Sequence, residues 1–217
     1  MTVVLHEHPF AAYCWKALVA LEERGVPYET VLVEDRAPLE ALWPLASIPV
    51  LEDDGMVVAE SSVVVEHLDR HGNAPPMVPL DHDAALRVRL WDRVIDGYVA
   101  TPMQTIVGDV LRPEGSGDAY GVAQAHAQFD RIYRVLDDHL AASDGPWLAG
   151  ASFSLADCAA APALHYADVL HRLDRDAHPA LAAYEERLFA RPSVTRVVER
   201  ARPYRHLFPL PWPAHVA

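Results

Sequence analysis

Apolar residues recur along this chain with a period that changes from segment to segment. Val3 to Leu5 is a short, mostly β-branched run and predicts a first strand. From Ala12 to Arg24 the period becomes helical, with Cys14, Leu18 and Leu21 on one face and Ala17 beside them. Glu22, Glu23 and Arg24 are assigned to the solvent side, and Gly25 followed by Pro27 is a helix stop. Tyr28 to Val33 alternates and predicts a second strand, joined to the first by a right-handed parallel crossover. A short helix is expected over Ala37 to Trp43. Ile48 to Glu52 and Met56 to Ala59 are two further strands. Asp53-Asp54-Gly55 between them is a hairpin signal. Ser61 or Ser62 is the expected cap of a helix running to about Arg70 and ended by Gly72. The order is β-α-β-α-β-β-α.

The stretch GNAPPMVPLDHD then breaks the pattern and marks a linker. Everything beyond it is helical in period. Ala84 to Leu111 is one long helix with Leu86, Leu90, Val94 and Ile95 expected inward. Ala123 to Ala142 carries Phe129, Ile132, Tyr133 and Leu136 on one stripe. Leu155 to Leu170 is almost entirely apolar and is the expected central helix. Shorter helices follow near Leu181 to Phe189 and Val194 to Arg200. The tail PYRHLFPLPWPAHVA holds too much proline for a helix and is expected to lie across the surface. The expected fold class is a thioredoxin-like α/β domain (βαβ-ββα) over residues 1–73, a linker over 74–83, and an all-α domain over 84–217.

Composition narrows the function. The chain has 217 residues, enough to bury a sizeable core. Its net charge of −13 argues against a nucleic-acid partner. No uncharged run is long enough to span a bilayer, and the N-terminus has neither the positive region nor the apolar stretch of a secretion signal, so a cytoplasmic location is expected. Two cysteines far apart in sequence, Cys14 and Cys158, do not make a disulfide framework. Lys16 is the only lysine, and no mechanism is drawn from it.

Candidate chemistry clusters in the first 70 residues. Pro49 begins a strand directly after a loop and is a candidate cis-proline, set against an ordinary trans-proline at a sheet edge. A cis bond would turn the backbone of Ile48 outward, ready to pair with a peptide-like ligand. Glu60 and Ser61 open a helix, where unpaired N–H groups suit a carboxylate and Glu60 suits an ammonium. The plain alternative there is an ordinary cap. FSLAD at 153–157 is a capping box, with Ser154 as cap and Asp157 at N3, and is structural. His6 and His8 share a strand face, and His67 and His71 lie four apart on a helix. No cysteine or further histidine closes either set in sequence, so no metal is expected. Hydrolase, nucleotide and dinucleotide signatures are absent.

Three segments, HPFAAYCWKALVALEERGVPYE, SIPVLEDDGMVVAESSVVVEHLDRHG and WLAGASFSLADCAAAPAL, in this order and spacing, resemble the glutathione S-transferase superfamily. The resemblance covers nearly the whole chain. It implies a homodimer that conjugates glutathione, as co-substrate, to a small hydrophobic electrophile, as in detoxification. By position, Ile48 corresponds to the backbone partner of the glutathione cysteinyl unit, Pro49 to the cis-proline, and Glu60 with Ser61 to the pair that grips the γ-glutamyl end. Ser47, with Trp43 nearby, takes the place of the Lys or Gln that meets the glycine carboxylate. Trp91, Tyr98 and Met103 are the candidate substrate pocket. In related bacterial members a Ser or Cys occupies the position of Ala11, where it contacts the glutathione sulfur. Without it the catalytic group is open: the backbone N–H groups after Ala11 and the helix dipole remain, with the Tyr13 hydroxyl as a further donor and Cys14 as a candidate set against the plainer reading of a small buried apolar residue. Losing one charged hydrogen bond of about 1.5–3 kcal/mol leaves the thiol pKa one or two units higher, at about 1.36 kcal/mol per unit. Two readings therefore stay open beside transferase activity: a glutathione-binding protein with little or no catalysis, and a scaffold that uses only the fold.

Overall fold

The structure, a computed structural model, describes residues 3–72 and 74–216. Asn73, the last residue of the expected first domain, lies outside the described residues. β1 (Val3–Glu7) pairs in parallel with β2 (Tyr28–Leu32) and antiparallel with β3 (Val50–Asp53), which pairs antiparallel with β4 (Met56–Ala59). The sheet order is β2-β1-β3-β4. Asp54 and Gly55 join β3 to β4 with φ values of 48° and 83°, the two positive angles of the hairpin turn that matches strand twist. β3 begins at Val50 rather than Ile48, because the Ile48–Pro49 bond is cis and Pro49 has no N–H for the ladder.

α1 (Ala12–Arg24) runs between β1 and β2 and ends at Gly25 in the left-handed conformation. It is buried on nearly all sides, because it packs on the sheet, on α3 (Ser61–Leu68), on α7 (Leu155–Leu170) and on α9 (Pro192–Ala201). The expected solvent side is therefore corrected at Arg24, which is buried. Its guanidinium donates to the carbonyls of Asp69, His71, Ala74 and Pro75 and holds the turn after α3. Glu22 pairs with Arg196 of α9 and Glu23 with Arg191, the residue that precedes α9. The short α2 (Ala37–Leu42) lies between β2 and β3.

The expected long helix is three pieces: α4 (His82–Ile95), a π-helical turn at Asp96–Ala100, and α5 (Thr101–Val110). Pro102 supplies no N–H to a continuous α-helical ladder there. The inward stripe of α4 is Ala85, Val88, Asp92 and Ile95, whereas Leu86 and Leu90 are exposed. Ile95 is buried and Val94 packs against the core as expected, but Leu86 and Leu90 were assigned to the wrong face because the buried stripe includes a charged residue. α6 (Ala119–Ala142) buries Phe129, Ile132, Tyr133 and Leu136 as expected. α7 is the central helix, buried from Leu155 to Ala167. Both bonds of its capping box form, and Asp157 also accepts from Leu148 N–H and the Tyr184 hydroxyl. α8 (Pro179–Phe189) and α9 complete the bundle. The tail opens with a 3₁₀ turn at Arg202–Leu207, despite its proline content, and then runs extended. Phe208 and Trp212 set their rings against Phe10, just before α1.

Candidate functional site

The start of α1, the cis bond and the start of α3 converge on one cleft of about 700 Å³. Tyr13, Ser47, Ile48, Pro49, Glu60 and Ser61 line one side. Arg93, Asp96, Gly97 and Thr101, from α4, the π turn and α5, line the other.

Each wall element offers unpaired polar groups. Among the described residues, the N–H groups of Ala12 and Tyr13 have no hydrogen-bond partner, and Ala11 occupies the cap position without a capping side chain. Helix starts of this kind attract anions. The backbone of Ile48 is likewise unpaired, since the chain joins the sheet only at Val50. At α3 neither Ser61 nor Ser62 is the cap. Glu60 holds that position with φ 67° and ψ 116°. Such a conformation costs a residue other than glycine about 1–3 kcal/mol and persists where its surroundings impose it. The result is an exposed carboxylate on the cleft wall beside the free N–H groups of α3.

Beneath the wall lies a charge network invisible in the hydrophobic pattern. Lys16 is buried, and its Nζ lies 2.8 Å from Ser62 Oγ, 2.5 Å from Asp92 Oδ1 and 3.0 Å from Asp96 Oδ2. Ser62 Oγ also donates to Asp92 Oδ2 at 2.8 Å. Burial raises the Asp96 carboxyl pKa, against the pull of Lys16. Arg93 donates to Asp96 at 2.7 Å, and Arg93 and Arg89 bring cationic side chains to the cleft. In sequence the only trace of this network was Asp92 and Asp96 four apart and the single lysine.

Tyr13 lines the cleft and its hydroxyl makes no hydrogen bond to the described residues. Burial, and next Asp96, raises its pKa, so it stays protonated as a donor. Cys14 is fully buried, as its place on the apolar face of α1 leads one to expect; burial pushes its thiol pKa far up and it does not reach the cleft, which removes it as a catalytic candidate. Trp43 is not among the cleft-lining residues, but its indole N–H donates to Ser47 Oγ, which is, at 3.1 Å. Trp91, Tyr98 and Met103 are not brought into the cleft. Trp91 stacks on His139 with centroids 3.9 Å apart, Tyr98 is exposed, and Met103 belongs to the core. A helical-domain pocket depends on how α4 breaks at the π turn, which the pattern did not reveal.

The N-terminal-domain model of glutathione S-transferases matches residues 10–71, and the C-terminal-domain model matches residues 119–187. The chain belongs to the glutathione S-transferase superfamily. It is 32% identical to a glutathione S-transferase of Arabidopsis thaliana over 64% of this chain and 58% of that protein. It is 28% identical to a glutathione S-transferase-like protein of Beauveria bassiana over 90% of this chain and 94% of the other. A glutathione S-transferase of Methylobacillus flagellatus, solved with glutathione bound, superposes with a TM-score of 0.81 at 29% identity, over 90% of this chain and 98% of that one. In this glutathione S-transferase-family chain no described helix is long and apolar enough to cross a membrane.

Outside the cleft, the three side chains Asp53, His67 and His71 meet at the far ends of β3 and α3. The histidine pair that lacked a third partner in sequence is closed by an aspartate. Burial tends to raise the Asp53 pKa, but hydrogen bonds from His67 and His71 outweigh it and leave it lowered.

Proposed function

We propose that this chain binds glutathione in the cleft and adds its sulfur to a small electrophile. The single observation that carries this reading is the convergence of Ile48, cis-Pro49, Glu60 and Ser61 with the unpaired start of α1. In the proposed pose the γ-glutamyl carboxylate meets the N–H groups at the start of α3 and its ammonium meets Glu60. The cysteinyl backbone pairs with Ile48, and the glycine end lies toward Ser47 and Trp43. The sulfur then reaches Ala12 and Tyr13. Their N–H groups and the Tyr13 hydroxyl stabilise the thiolate, which forms a carbon–sulfur bond to an electrophile held beside Asp96, Gly97 and Thr101. In an addition the electrophile takes up the electron pair and a proton from water; in a substitution the leaving group departs with the pair.

A second reading, glutathione binding with little catalysis, is favoured by Ala11, whose methyl group gives the sulfur no hydrogen bond. We further propose a homodimer in the cytoplasm. Free, buried Cys14 and Cys158 suit a reducing compartment.

Glutathione titration of Glu60→Gln and Ser61→Ala tests the pose. Each loses a charged or charge-assisted hydrogen bond of about 1.5–3 kcal/mol, so affinity falls about ten- to a hundredfold. Unchanged affinity in both would remove glutathione from this cleft.

A further inference from the structure

We propose that Asp53, His67 and His71 form a binding site for one divalent transition-metal ion of the zinc type, separate from the glutathione cleft. Their donor atoms all lie within 4.8 Å of one another. His67 Nε2 is 2.7 Å and His71 Nε2 is 2.6 Å from the same oxygen, Asp53 Oδ2. Two imidazoles one helical turn apart and one carboxylate form a three-ligand set that leaves a fourth tetrahedral position for water. Imidazole nitrogens select zinc, cobalt, nickel or copper over the oxygen-seeking magnesium and calcium.

A second observation points to a ligand. Asp53 is almost wholly buried, and its other oxygen, Oδ1, is buried with no hydrogen-bond partner among the described residues. Hydrogen bonding alone thus crowds both imidazoles onto one oxygen and strands the other, which is costly in a buried position. A cation between the rings would occupy both nitrogens and draw on the whole carboxylate. Zinc bonds of about 2.0–2.1 Å set neighbouring ligand atoms about 3.3 Å apart, so small side-chain rotations would admit the ion. The ligands are also held in place. Asp53 is fixed by the β3 ladder, His67 by α3, and His71 by the Arg24 guanidinium, which donates to its carbonyl.

The location gives the ion a structural task. β3 starts beside Pro49 and ends at Asp53, while α3 starts at Ser61 and carries His67 in its last turn. The ion would clamp the far ends of the two elements whose near ends face the cleft, about 10 Å away along a helix rising 1.5 Å per residue.

The chain, stripped with chelator, is titrated with Co²⁺ and then Zn²⁺. We expect one equivalent of Co²⁺ with the visible absorption of tetrahedral coordination, displaced by Zn²⁺. His67→Gln and His71→Gln each weaken binding by about 100-fold or more. His171→Gln, at the separate His126–His171 pair, leaves it unchanged. Zn²⁺ raises the melting temperature of wild type and not of His71→Gln, while glutathione affinity is the same in both. Absence of stoichiometric Co²⁺ binding, or binding that survives both His67→Gln and His71→Gln, would overturn the site and leave a hydrogen-bonded clamp.

Discussion

Ala11 presents a methyl group at the start of α1, so in the proposed reaction the thiolate is left with two free N–H groups and the Tyr13 hydroxyl. Because burial and Asp96 keep Tyr13 protonated, it donates throughout the neutral range. Tyr13→Phe removes that donor and is expected to lower kcat/KM about tenfold or more, from about 1.5 kcal/mol of charged hydrogen bond. Ala11→Ser restores a donor and is expected to raise it. Steady-state kinetics with a broad-reactivity electrophile reads both. A Tyr13→Phe enzyme with wild-type kcat/KM would take the hydroxyl out of the mechanism. At this scale the sequence was readable where a residue's role follows from its immediate neighbours. Pro49 after a loop and the Ser154–Asp157 capping box are such cases, whereas the cap of α3, expected at Ser61 or Ser62, is Glu60. It was unreadable for Lys16 and Arg24, because a buried cation is acceptable only with partners supplied from far along the chain: Asp92 and Asp96 for one, and four carbonyls for the other.

Among the elements, α1, α3, α4 and the π turn are joined by the Lys16 network directly beneath the cleft wall. A buried pair contributes little net stability over an apolar one, but removing one partner leaves an uncompensated charge at a cost of about 3–5 kcal/mol. Lys16→Met is therefore expected to lower unfolding stability by about that amount in chemical denaturation. Adding Asp92→Asn should recover part of the loss, because the stranded charge is then neutral. An additive double variant would show that the two side chains are not coupled. Strands, hairpin and helices were legible because each carries a local period or turn residue. The break between α4 and α5 was not, and neither was the buried face of α4, since the buried stripe carries the charged Asp92 while Leu86 and Leu90 lie on the exposed face.

Over the whole molecule, Leu86 and Leu90 of α4, Val63 of α3, and Met56 and Val57 of β4 are large apolar side chains left exposed. Glu66 and Arg89, paired at 2.7 Å, hold α3 and α4 side by side. An apolar surface of this kind fits the proposed homodimer. Leu86→Glu with Leu90→Glu should shift the chain toward monomer in sedimentation equilibrium without unfolding it, since neither side chain belongs to the core. A wild-type chain that is monomeric at micromolar concentration would contradict this. The proposed function stands or falls on whether the cleft binds glutathione and ionises it. The most direct measurement is calorimetric titration with glutathione near neutral pH in buffers of different ionisation enthalpy. The account predicts saturable binding whose apparent enthalpy varies with the buffer, because the thiol releases its proton on reaching the start of α1. Binding with a buffer-independent enthalpy, or no binding heat at all, would contradict it.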